Sequence, residues 1–340
     1  MAGWRPSARA LGVRRTSCQE NELSHVTWPR GRSRAPWHME QHRVRAMVGS
    51  ADTVARASVD TTSHGTTSAL AQTVADSLKD SSCEQLTERD SALTIVMAST
   101  WSPHGELPRL LRLLPFLREV YSALIICMPV EAKATIASAL RAEHDVRLLV
   151  DSDWSNGVYA AVTESLAIDY DYLHYTDMDR LLRWAETNPA EFRDTACAIA
   201  QADCTIIGRT ERAVATHPRC MQQTEGLVNL VTSHQLGFKA DVCAGSRGFS
   251  RRAVEYLRQH SRPGHLKDAE WPLLLLRAGF TIGYVKVDGL DWETADRYLP
   301  QAADTETQRQ AAAAYDEQVA NWAARVQVAR EIIENCLSVS

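Results

Sequence analysis

Two carboxylates separated by a single residue, Asp177 and Asp179 in "YTDMDR", stand where strand character (Tyr170, Leu173, Tyr175) gives way to helix character (Leu181, Leu182, Trp184). In an extended segment residues i and i+2 face the same way, so the pair can converge on one cation. Hard divalent ions such as Mg²⁺ take oxygen ligands, commonly one or two carboxylates completed by phosphate oxygens of a substrate. The competing reading is structural: Asp179 directly precedes a helix and can serve as its N-cap. A second acidic pair, Asp268 and Glu270, precedes "PLLLLRAG". Pro272 suits the first turn of that helix, where backbone N–H groups lack intrahelical partners, and this puts both acids in the loop ahead of it. The helix dipole favours an ionised carboxylate there, either as a proton acceptor or as a plain cap. Arg247 and Arg251 flank "GFS". A guanidinium can grip phosphate with two parallel hydrogen bonds, or simply stand in water at a helix start.

Positioning these groups requires a frame, and the chain supplies one from Ala92 onward. Short apolar runs at 92–99, 122–129, 146–151, 172–177 and 203–209 read as buried strands. Between them, helical spacing is predicted over 104–121, 131–144, 157–169 and 180–202. Pro115 is expected to kink or divide the first helix and Asn188–Pro189 to interrupt the last. Such alternation means βαβ crossovers, an α/β class and a mainly parallel sheet. Ligands of open parallel sheets bind at the carboxyl ends of the strands, which is where Asp177 and Asp179 fall. Beyond residue 209 the expected order is a polar loop (208–222) with Arg209, Arg212 and His217, a helix (221–237), a strand (240–250), helices at 251–260 and 272–279, and a strand at 281–290. The last 35 residues read as one long helix with a heptad seam of Tyr315, Val319, Trp322, Val326, Ala329, Ile333 and Cys336. Packing on the chain's own domain is the expectation for this seam, with a homo-oligomer contact as the alternative.

Three divisions follow. Residues 1–90 are Arg-rich and then Ser/Thr-rich, with little sustained apolar period, and are expected to be disordered or the product of an early start ahead of Met39 or Met47. A transit peptide is the second reading of that segment. Residues 91–300 form the catalytic-type domain and 301–340 the C-terminal amphipathic helix. The net charge of −5 excludes the basic character that favours nucleic acid. No run reaches the roughly 18 apolar residues that cross a bilayer. The eight cysteines show neither CxxC pairs nor zinc spacing. Cys127, Cys204 and Cys243 lie in apolar runs and read as buried hydrophobes, which suits a reducing, cytoplasmic compartment.

The strand–helix order, "YTDMD", then "DVCAGSRGFSRRAVEYL" (241–257) and "KDAEWPLLLLRAGFTIGYV" (267–285) together resemble the GT-A glycosyltransferases of the family 2 type, over about residues 92–293. The resemblance implies a Rossmann-like nucleotide-diphospho-sugar transferase fold, Mg²⁺ or Mn²⁺, a nucleotide-sugar donor and a hydroxyl acceptor. It makes Asp179 the direct metal ligand and Asp177 a contact to metal shell, ribose or sugar. Asp268 becomes the general base, with Glu270 as its alternate or as an orienter of the acceptor, and Arg247 a phosphate contact. Ser99 and Thr100 after strand one, and Asp151, Asp153 and Asn156 after strand three, are expected at the nucleotide. Arg209, Arg212 and His217 would face the sugar side. Trp292 would stack on sugar, and Asp291 and Glu293 would complete the metal shell. The chain departs from the family at "CMPVEAK" (127–133), where an Asp-Asp-Gly-Ser-like turn is usual, and at Lys267, where an acid is usual. A nucleotidyltransferase, a phosphatase and a non-catalytic sugar-nucleotide module are the other readings. Against the first, "STWSPHGELPR" carries a single Gly and no Lys. Against the second, Leu181 stands where Asp-x-Asp-x-Thr needs Thr.

Overall fold

The computed structural model describes residues 93–339, apart from positions 133, 152 and 265. The expectations for residues 1–90 lie outside that range. Seven strands form one sheet: β1 (Ile95–Thr100), β2 (Ala123–Pro129), β3 (Val146–Asp151), β4 (Tyr172–Thr176), β5 (Cys204–Arg209), β6 (Ser246–Ser250) and β7 (Ile282–Val287), in the order β3-β2-β1-β4-β6-β5-β7. All neighbours run parallel except β6, which is antiparallel to both β4 and β5. The continuous apolar runs are explained by burial on both faces. On one face α1 (Leu107–Val120), α2 (Ala134–Arg141), α4 (Met178–Thr187) and α5 (Pro189–Ala198) pack through Leu110, Leu117, Leu140, Leu181, Trp184 and Phe192. On the other, α3 (Gly157–Glu164), α8 (Arg251–His260) and α9 (Glu270–Arg277) pack through Val158, Val162, Leu257, Trp271 and Leu275. The α/β, mainly parallel expectation is met.

Several boundaries differ from the sequence reading. Pro115 lies inside a single helix rather than dividing it. Asn188 does end α4, and Pro189 opens α5 at the position that needs no N–H donor. The 208–222 segment is not an open loop. It contains α6 (Glu211–Ala215), capped by the Thr210 hydroxyl, and the start of α7 (Arg219–Leu236). The 240–250 strand shrinks to β6, because a short 3-10 turn (Val242–Ala244) and Gly245 at φ 66° precede it.

The C-terminal region is two helices, α10 (Thr305–Asp316) and α11 (Val319–Ser338), so the seam from Tyr315 to Cys336 is broken at Glu317–Gln318. Its halves have different surroundings. Tyr315 and Trp322 pack with Trp292 and Cys220, whereas Ala329 and Cys336 are buried against Val228 and Leu236 of α7. Val319 and Val326 remain exposed. Packing on the chain's own domain therefore describes most of the seam. No helix among the described residues is long and apolar enough to cross a membrane. The buried cysteines behave as small hydrophobes, since burial pushes the Cys127 and Cys204 thiols up to about 11 and about 12.

Candidate functional site

Asp177 follows the last residue of β4 and occupies the N-cap position of α4, with φ −60° and ψ 140°. Its side chain does not cap the helix. The carboxylate turns away and accepts a 2.7 Å hydrogen bond from the Tyr175 hydroxyl and a longer one, 3.4 Å, from Thr100 on β1. The Arg180 guanidinium lies 3.3 Å from its other oxygen. Tyr175 is buried, and burial together with the Asp177 charge holds its phenol well above its ordinary value, so it stays a proton donor. Asp179 is the second residue of α4, not part of an extended strand, so the strand-parity argument for convergence fails. Its carboxylate meets the N–H of Arg180 at 3.0 Å and lies 3.5 Å from Arg297. The N-cap reading of Asp179 is corrected too, because the helix starts one residue before it.

The two carboxylates still share a space. Asp177, Asp179, Thr100, Trp101, Arg180, Glu293 and Arg297 line a cavity of about 390 Å³. Glu293 is 5% exposed and one of its oxygens has no hydrogen-bond partner. Burial, opposed by Arg180 and reinforced by the charges of Asp179 and Asp177, pushes its carboxyl up to about 7. The Trp101 indole N–H, likewise buried, has no partner. Four acids (Glu106, Asp177, Asp179 and Glu293) and three arginines (Arg180, Arg297 and Arg325) line this one cavity, so the acids outnumber the fixed cations by one.

No trio of carboxylate, imidazole or thiol groups among the described residues is arranged to hold a metal by itself. Two carboxylates are on offer. A hard cation there would complete its shell with water and ligand oxygens, the usual manner of Mg²⁺, and the donor chemistry suits Mg²⁺ or Mn²⁺.

A second cavity of about 270 Å³ adjoins the first, with Asp177, Arg180 and Arg325 lining both. Asp268, Arg247 and Lys267 also line it. Asp268 stands two residues ahead of α9, as expected, but Glu270 is the first residue of that helix rather than part of the loop. Glu270 is also committed. It accepts from the Ser261 hydroxyl and from the Lys267 ammonium, both at 2.6 Å, and Lys267 is itself buried. The unusual lysine before Asp268 is thus explained as one half of an internal ion pair. Arg247 is 2% exposed and bonds the carbonyls of Val242 and Asp268 and, at 3.1 Å, the Asp268 carboxylate. All three bonds leave from one terminal nitrogen and tie Arg247 to Val242 and to the Asp268 loop, while its Nε has no hydrogen-bond partner.

Gly245 closes the gap between the two motifs. Its φ of 66° is left-handed, and a Cβ there would lie 2.6 Å from the Asp177 carboxylate. Gly248, by contrast, is required by packing on Ile199.

Other expected site residues fall elsewhere. Ser99 is fully buried and bonds a backbone carbonyl. Asp151, Asp153 and Asn156 form a self-contained turn, with Asp153 N–H on Asp151 and the Asn156 amide on Asp153, and they line neither cavity. Arg251 bonds the carbonyls of Ile168 and Leu166. Arg209 is buried and paired with Asp241 and Glu225, and Arg212 pairs with Asp288 and Asp291. His217 is buried, and burial together with Arg209 and Arg180 keeps it neutral. Trp292, unlike these, does line the cavity of about 390 Å³, but it is 2% exposed and packs edge-on to Tyr315.

Three side chains at the site escaped the sequence reading. Tyr175 shares its strand face with Asp177 at period two, and Arg180 lies one helical turn past Asp177, so both had a local signal. Arg325 had none, since only the return of α11 brings it there.

No family model matches the chain, and no curated protein matches it in sequence. Among solved structures it is similar to glucosyl-3-phosphoglycerate synthase from Mycobacterium tuberculosis in complex with Mn²⁺, UDP-glucose and phosphoglyceric acid, at 13% identity and a TM-score of 0.46 over 76% of this chain and 84% of that one. It is also similar to Rv0371c from Mycobacterium tuberculosis complexed with manganese (15% identity, TM-score 0.36, 61% of this chain and 96% of that one). HddC from Yersinia pseudotuberculosis is a third (10% identity, TM-score 0.38, 57% and 90%). Likeness at this level fixes no activity, which must be argued from the residues.

Proposed function

We propose that this chain is a metal-assisted glycosyltransferase of the GT-A type, moving a sugar from a nucleotide-diphosphate donor to a hydroxyl acceptor. One observation carries the reading. The Asp177 carboxylate, in an N-cap position, forgoes the cap and stands in the wall between two cavities, one lined by Asp179 and the other by Asp268. A transfer between two substrates needs such a boundary, with charge neutralisation on the donor side and a proton acceptor on the acceptor side.

Asp177 and Asp179 would hold the divalent cation, which when bound neutralises charge building on the leaving diphosphate. Tyr175 and Thr100 fix the Asp177 carboxylate from behind, so that it needs little reorganisation. Arg180 adds a fixed positive charge at the same wall. Asp268 takes the acceptor hydroxyl proton. Its side chain is 20% exposed, and Arg247 bonds one oxygen while locking its orientation. Glu270 serves the geometry of the loop through Lys267 and Ser261.

A direct test is donor hydrolysis or transfer over a panel of nucleotide-sugars with Mg²⁺ or Mn²⁺, comparing the native chain with Asp179→Ala. Loss of metal-dependent turnover is expected. Full activity of the variant without metal would sink the proposal. The Arg247–Asp268 pair, which already occupies one oxygen of that carboxylate, favours a binding-only module as the second reading. Calorimetric binding of a nucleotide-sugar without turnover on any acceptor would support that reading instead.

A further inference from the structure

A cavity of about 770 Å³ opens between α7, the 237–241 connection and the edge strand β7. It shares no lining residue with the two cavities around Asp177. Its volume lies within the range of cavities that accept small-molecule ligands. The Phe238 and Tyr284 rings stand 6.4 Å apart at 46° along its wall, a pair against which a planar group can lie. Leu230, also lining it, is 70% exposed, so a large apolar side chain stands in water beside those rings.

The charges select the rest of the ligand. Arg209 and Asp241 at the floor are already neutralised, Arg209 by Asp241 and Glu225, and Asp241 further by the Asn229 amide. Lys239 and Lys286 are exposed, and among the described residues neither forms an ion pair. Glu211 is the one lining acid outside that floor network. Two free cations against one free acid beside an aromatic wall call for an anion with an apolar ring.

We propose that this cavity binds an aromatic anion: a planar ring system bearing a phosphate, sulfonate or carboxylate, with the ring against Phe238 and Tyr284 and the anionic group between Lys239 and Lys286. The site is independent of the glycosyltransferase reading and stands or falls without it.

The test is isothermal titration calorimetry of the full chain with 1-naphthyl phosphate, beside 1-naphthylmethylammonium as the ring of opposite charge. The phosphate is expected to bind with one-to-one stoichiometry and the ammonium not to bind. Lys239→Glu with Lys286→Glu should weaken the phosphate by at least about tenfold, because two charge-assisted contacts are lost. Both lysines are exposed, so the variant should keep the native thermal midpoint. Phe238→Ala, a partly buried position, should weaken binding as well. Equal binding of the ammonium, no heat up to about 1 mM phosphate, or an affinity unchanged in the double variant would overturn the proposal. The last outcome would place the anion elsewhere on the chain.

Discussion

Gly245→Ala separates backbone strain from damage at the site. A non-glycine residue in the left-handed region costs about 1–2 kcal/mol. For a domain of this size that lowers the thermal midpoint by about 2–8 °C. The added methyl has a second consequence, because it would stand 2.6 Å from the Asp177 carboxylate. An ordinary carbon–oxygen contact is roughly 3.3 Å, so the carboxylate must retreat by about 0.7 Å. Displacement of a reacting group by about 1 Å can cost on the order of a hundredfold in rate. Gly279→Ala is the matched control. Its φ is 81°, and a Cβ there would meet nothing within 4 Å. Both variants should lose similar stability in urea denaturation. Only Gly245→Ala should lose the Mn²⁺-dependent thermal stabilisation measured with a nucleoside diphosphate, and turnover should drop about tenfold to a hundredfold with it. Gly245→Ala with undiminished Mn²⁺ response, or Gly279→Ala with an equal functional loss, would refute the reasoning.

Asp268→Asn should keep donor affinity while transfer falls about 10²–10⁴-fold, the usual worth of a positioned base, as read from kcat and KM over the acceptor. Glu270→Ala should act on stability instead, since it strands the buried Lys267 ammonium. A loss of about 3–5 kcal/mol in urea denaturation is the expected signature. Glu293 has an ordinary value of 4.5 and is pushed up to about 7 in the fold, mainly by burial. Between those two values the folded chain therefore holds the extra proton, and stability falls as pH rises through that window. Glu293→Gln should flatten the fall in a pH series of thermal midpoints; an unchanged slope would remove Glu293 as its source.

The α/β class, the five leading strands and the break at Asn188 were legible in the sequence, because burial on both faces of a parallel sheet leaves continuous apolar runs and proline punctuates helices at the positions it can tolerate. The placement of Asp177 at the carboxyl end of β4 was legible for the same reason. Its conformation was not. Local pattern offered an extended pair or an Asp179 cap, and the chain adopts neither: Asp179 lies inside α4, and Tyr175, Thr100 and Arg180 hold the carboxylate of Asp177, which takes the N-cap position. Arg247 and Glu270 had the residue types of ligand contacts, yet partners distant or hidden in sequence had already claimed them: Asp268 for one, Lys267 and Ser261 for the other. The same holds at the C-terminus, where a heptad seam written without interruption is split between two helices packed in two separate clusters. By itself the sequence determined which segments must be buried and which residues are capable of chemistry. The tertiary structure alone decided which charges neutralise one another, because ion pairing depends on distances that only the packed sheet and helices set.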